Sequence, residues 1–120
     1  MLDCEAASRL TIPAFRIAVA RKLVHDYGLS QGRVAALIGI KQASVSNYLS
    51  LRQSPRTEAL ASYITSKGLE GRLVKMALAG AQKPAIFKAL ERAASDPSLA
   101  RVALSTKGLQ LMKKSISERV

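Results

Sequence analysis

Proline and glycine cut this chain into short apolar stretches, and within each stretch the apolar residues recur at three and four positions. Strict alternation of apolar and polar residues never persists. No β-sheet is expected, and the chain reads as all-α. Pro13 suits the first turn of a helix in which Ile17, Ala20, Val24 and Tyr27 face inward until Gly28 stops it. Ser30 is placed to cap a short second helix through Val34, Leu37 and Ile38, ended by Gly39. A third runs from about Gln42 to Leu51 with Val45 and Leu49 inward. Ser54 and Pro55 open a fourth, carrying Leu60, Tyr63 and Ile64, that ends near Gly68 and closes a first core.

Beyond Gly68, Leu73, Met76, Ala77 and Leu78 predict a fifth helix up to Gly80, and Pro84 opens a sixth with Ile86, Phe87 and Leu90. Asp96 and Pro97 open a seventh. Leu109, Met112 and Ile116 then mark a last basic helix containing Lys107, Lys113 and Lys114. The expected division is a bundle of four to five helices over residues 1–68, followed by a helical extension over 69–120. That extension either supplies a dimerisation surface or completes the core of the monomer.

Hydrophobic residues form 48% of the 120-residue chain, enough to fold and too many for an intrinsically disordered protein. A large multi-domain enzyme is excluded by length. The formal charge of +11 draws the chain towards polyanions. Nucleic acid is the leading partner, although an acidic membrane surface or an acidic protein would answer the same field. The basic character is spread along the chain: residues 1–53 carry net +4 and residues 54–120 net +7.

No basic start followed by an uninterrupted apolar core opens the sequence, and no apolar run is long enough to span a bilayer. The expected location is cytoplasmic, with no membrane partner. Cys4 is the single cysteine, so an internal disulfide or a cysteine cluster within one chain is excluded. His25, beside Asp26, reads as a surface residue because nothing supplies the partners a ligand or general base would need. No paired carboxylates, Cys-His couple or phosphate-binding glycine loop is present, so neither an enzyme nor a bound cofactor is expected.

The most informative stretch is QGRVAALIGIKQASVSNYLS, residues 31–50. Ala35 is small where two helices would cross closely, and Gly39 stands where the chain must turn sharply, with φ above zero. Val45, six residues on, faces inward. With Val45 and Leu49 buried, the helical repeat turns Gln42, Ala43, Ser46, Asn47 and Ser50 to the opposite side. That face carries amides and hydroxyls suited to base edges in a major groove.

With Gln31, Ala35, Gly39, Ile40 and Val45 in these positions, the stretch resembles the helix-turn-helix of phage Cro and repressor proteins, the XRE type. The longer run from Ile12 to Leu49 looks like a group of short archaeal predicted regulators of that type. The resemblance implies an all-α DNA-binding bundle and a transcriptional regulator, a repressor or an activator, working as a homodimer on double-stranded DNA at a palindromic site. The two recognition helices would then meet successive major grooves about 34–36 Å apart.

On that reading Gln42 and Asn47 pair with adenine, Ala43 packs on a thymine methyl, and Ser46, with Ser50 one turn on, bonds to base edges; a shift of helical phase would exchange the roles of Asn47 and Ser44. Gln31 and Arg33 lie by the sugar-phosphate backbone. Arg52 and Arg56 either hold flanking phosphates or are solvated surface arginines.

The chain departs from the pattern twice. The archaeal group often continues into a cysteine-bearing C-terminal part that is absent here, so no metal or redox sensing is carried over. Lys41 stands where Ser or Thr would cap the third helix, at a cost of about 0.5–2 kcal/mol, and can instead approach a phosphate or a guanine. Two other readings remain: a nonspecific architectural or nucleoid protein that coats DNA through distributed lysines, and a helical adaptor that binds another protein.

Overall fold

The computed structural model describes the backbone of residues 2–50, 53–96 and 99, with side chains from Thr11 onward within those ranges. Among the described residues there are six helices and no strand: α1 Leu2–His25, α2 Gln31–Ile38, α3 Gln42–Leu49, α4 Pro55–Ser66, α5 Gly71–Leu78 and α6 Lys83–Ala94. None is long and apolar enough to cross a membrane. Of the expected seventh helix after Asp96 only Leu99 is described, and it is buried; the basic helix carrying Leu109, Met112 and Ile116, the side chain of Cys4 and all of Arg52 lie outside the described residues.

The fold is organised around α1, which touches each of the other five helices. Its middle is apolar on nearly every side, and Ala14, Phe15, Ile17, Ala18, Val19, Ala20 and Leu23 are all buried. A helix apolar all round must be enclosed. The small residues Ala14, Ala18 and Ala20 let its neighbours approach closely, and α4 meets it through Ala59, Leu60, Ala61 and Ile64. Leu73, Val74 and Ala77 of α5 and Ile86, Leu90 and Ala94 of α6 belong to the same core as Val34, Ala35 and Val45 of α2 and α3.

Helix ends follow local chemistry. The Ser30 hydroxyl accepts from Arg33 N at 3.1 Å to start α2, and the Ser54 hydroxyl accepts from Thr57 N at 3.2 Å to start α4, with Pro55 in its first turn. At the start of α5 Glu70 is fully buried, where the positive end of the helix dipole favours a carboxylate. Lys22 Nζ stands 3.8 Å from Glu70 Oε1 and 3.3 Å from Asp26 Oδ2. Its hydrogen bond to Asp26, ahead of the attraction of the two carboxylates, raises the Lys22 pKa above the ordinary lysine value.

Several expectations need correction. Helix one does not begin at Pro13: α1 starts by Leu2 and carries Pro13 in its interior. An interior proline removes a donor and costs about 3 kcal/mol. Burial on both sides offsets this, with Thr11 and Phe15 enclosed and the Thr11 hydroxyl donating to Ala94 O at 3.2 Å. Tyr27 is 50% exposed because α1 ends at His25, which takes Tyr27 off the helical phase. Leu78 and Phe87, among the apolar residues that marked the fifth and sixth helices, are 42% and 47% exposed. Helix α5 buries Leu73, Val74 and Ala77, which turns Leu78 outward; α6 buries Ile86, Leu90 and Ala94 at intervals of four, which sets Phe87 beside the stripe.

Because Leu60 is wholly enclosed between α1 and the rest of the core, Leu60→Ala should destabilise the fold by about 2–5 kcal/mol in urea denaturation. A change under about 0.5 kcal/mol would mean that α4 is not packed as described.

Candidate nucleic-acid interface

Helices α2 and α3 are joined by Gly39, Ile40 and Lys41 alone. Gly39 adopts φ +73°, and both its N–H and that of Ile40 donate to Ala35 O, at 2.9 and 3.0 Å. These bonds close the end of α2 with the left-handed residue that glycine supplies without a Cβ clash. A side chain at this point would also meet Lys83, whose Cδ lies 3.1 Å from an ideal Cβ position. The two helices are pinned from within by Val34 and Val45, both fully buried, with Leu37, Ile38, Ile40 and Leu49 half-buried around them.

Opposite Val45, the residues Gln42, Ala43, Ser46, Asn47 and Ser50 are exposed along α3, while Ser44 is half-buried at the margin of that face. The Gln42 side chain leans back towards the start of α2, its Oε1 lying 3.5 Å from an ideal Cβ position on Gly32. At the far end of α3 one carbonyl gathers three bonds. Asn47 O accepts from Ser50 N at 3.2 Å, from the Ser50 hydroxyl at 2.7 Å and from Gln53 Nε2 at 2.8 Å. The Asn47 amide therefore projects from a backbone held in place, and Ser50 keeps only its lone pairs for another group.

Around this face stand Gln31, half-buried at the start of α2, and the exposed cations Arg33, Lys41 and Arg56. Lys41 occupies the N-cap of α3 with extended backbone and makes no side-chain capping bond, as its side chain dictates. Between Asp26 and Glu58 the chain has no acidic side chain at all. A polyanion approaching α2 and α3 thus meets cations and amides without a carboxylate of this segment to repel it. His25, the last residue of α1, is exposed.

The sequence reading missed the group that orients α3. Arg21, on α1, donates from Nε to Tyr48 O at 2.8 Å, and from Nη1 and Nη2 to the two oxygens of Glu58 on α4 at 2.6 and 2.8 Å. One planar fork therefore joins three helices, and both side chains are mostly shielded from solvent. A signal was present. Arg21 ends the apolar run Ile17–Ala20 on α1, and Glu58 is the first acidic residue after Asp26. Gln53, which caps α3, was likewise not singled out.

Comparison with protein-family models, with curated proteins and with solved structures returns no match.

Replacing Lys41 with serine supplies the missing cap, and Lys41→Ser should stabilise the fold by about 0.5–2 kcal/mol in thermal or urea denaturation. Unchanged or lower stability would show that the first N–H groups of α3 are already satisfied. Glu58→Ala should cost roughly 1–3 kcal/mol, because the shielded Arg21 guanidinium loses its carboxylate.

Proposed function

We propose that the chain is a sequence-specific, double-stranded DNA-binding transcriptional regulator in which α2 and α3 act as a helix-turn-helix and α3 enters the major groove. The observation that carries this reading is the exposed row Gln42, Ala43, Ser46 and Asn47 on a short helix fixed from behind by Val45 and Arg21, within a segment free of acidic side chains.

In the major groove each base pair presents its own pattern of donors and acceptors. The Gln42 and Asn47 amides match adenine, which offers N7 as acceptor and N6 as donor; the Ala43 methyl fits a thymine methyl; the Ser46 hydroxyl serves either edge. Gln31 and Arg33 at the start of α2, with Lys41, Arg56 and Arg52 around α3, neutralise phosphates and fix register without reading sequence. Two copies related by a two-fold axis would read a palindrome. The reading also rests on the resemblance to the XRE-type helix-turn-helix carried by Gln31, Ala35, Gly39, Ile40 and Val45.

A second reading is favoured by the exposed cations Lys67, Arg72, Lys75, Lys88 and Arg92, which lie away from α3 on the later helices. Such a distribution suits a nonspecific architectural protein that coats DNA.

Anisotropy titrations of a duplex carrying the selected site, in the presence of competitor DNA, separate the two. For a specific regulator, Gln42→Ala and Asn47→Ala should each weaken the specific complex by about 1–3 kcal/mol and leave nonspecific affinity nearly unchanged. If both variants bind every duplex as the parent does, the specific reading fails. A steep loss of affinity with salt is expected on either reading and decides nothing.

A further inference from the structure

Between α1, α5, α6 and the turn joining α2 to α3 lies a cavity of about 300 Å³. Ile38, Ile40, Leu73, Ile86 and Leu90 supply its apolar walls, and Phe87, 47% exposed, stands at its solvent side. Two cations complete the lining. Arg16 is half-buried with its guanidinium carbon 5.9 Å from the centre of the Phe87 ring, and Lys83 is exposed with its stem laid against Gly39. Among the described residues neither cation has an ion-pair partner, and no acidic side chain lines the cavity.

We infer that this cavity is a binding site for a small amphipathic carboxylate: an aliphatic or aromatic body seated on the apolar walls, with one carboxylate between Arg16 and Lys83. The volume is at the lower end of small-molecule sites, about 300–1,000 Å³, which suits a compact ligand. Water against these walls finds few hydrogen-bond partners, so its replacement by hydrocarbon is favourable. The Arg16 guanidinium, near the Phe87 ring, carries paired donors whose geometry matches a carboxylate. A neutral or cationic ligand would leave both charges unanswered. A nucleotide would set its ribose and base hydroxyls and amides against aliphatic walls that offer them no partner.

A second copy of this chain fits the groove poorly. It would bring another +11 towards two unpaired cations, and a stable protein interface needs about 1,200–2,000 Å² of buried surface where this concavity is small. The ligand would touch Ile38 and Ile40, the residues flanking Gly39, but its binding is independent of whether α3 meets DNA.

Calorimetric titration of the full chain with octanoate, octanol, acetate and octyltrimethylammonium tests the site. Octanoate should bind saturably at one per chain, octanol roughly tenfold more weakly, and the other two not measurably. Arg16→Gln with Lys83→Gln should reduce octanoate to the affinity of octanol, while Lys67→Gln, remote from the cavity, leaves it unchanged. Both substituted side chains reach solvent, so folding should persist by circular dichroism. Methyl resonances of Ile38, Ile40 and Ile86 should shift on octanoate addition in the parent chain. Failure of octanoate to bind overturns the inference, and is the result expected if a second copy or another segment of the chain covers the groove. Equal octanoate affinity in the parent and the double variant, or shifts confined to other residues, overturns it too.

Discussion

The guanidinium of Arg21 is the contact on which the placement of α3 depends. Through Nε it holds the Tyr48 carbonyl near the end of α3, and through its two terminal nitrogens it holds both oxygens of Glu58 on α4. Charge-assisted bonds of this kind are directional, and the low exposure of both side chains keeps water from competing for them. Burial of Val45 fixes which side of α3 faces the core; Arg21 fixes the angle at which the helix leaves it. What remains outside is the polar row from Gln42 to Asn47, presented on a backbone that Arg21, Ser50 and Gln53 hold at its far end.

The rest of the architecture serves to hold Arg21 in position. Among the described residues helix α1 touches every other helix, and α5 and α6 contribute to the same core as α2 and α3. That same packing leaves the apolar cavity beside the α2–α3 turn. The Lys83 stem passes over Gly39 closely enough that a Cβ there would crowd it, at 3.1 Å from Cδ. Glycine is favoured at the turn by its positive φ, and a Cβ there would in addition displace the Lys83 stem slightly. The candidate nucleic-acid face and the cavity lie on either side of this corner.

Much of the fold was legible because helix boundaries are written in short-range chemistry. Ser30 and Gly39 bracket α2 and Ser54 with Pro55 opens α4, since each effect depends on neighbours within four residues. The polar face of α3 followed from the inward position of Val45 and the 3.6-residue repeat alone. What escaped depends on distant partners. Pro13 was read as a start because its local preference is for a first turn, whereas packing around Thr11 and Phe15 carries the helix through it. Phe87 and Leu78 are apolar without being central, because which side of α5 and α6 meets α1 is a tertiary matter. The Arg21–Glu58 pair spans 37 positions, beyond the reach of any periodicity.

Selection of duplexes from a random pool by the full chain, followed by sequencing, is the most direct test of the central claim that α3 reads bases. An enriched palindrome containing adenine at symmetric positions, with half-sites one helical turn apart, is the predicted result. A pool that stays random after repeated rounds, despite retention of DNA on the protein, would contradict it.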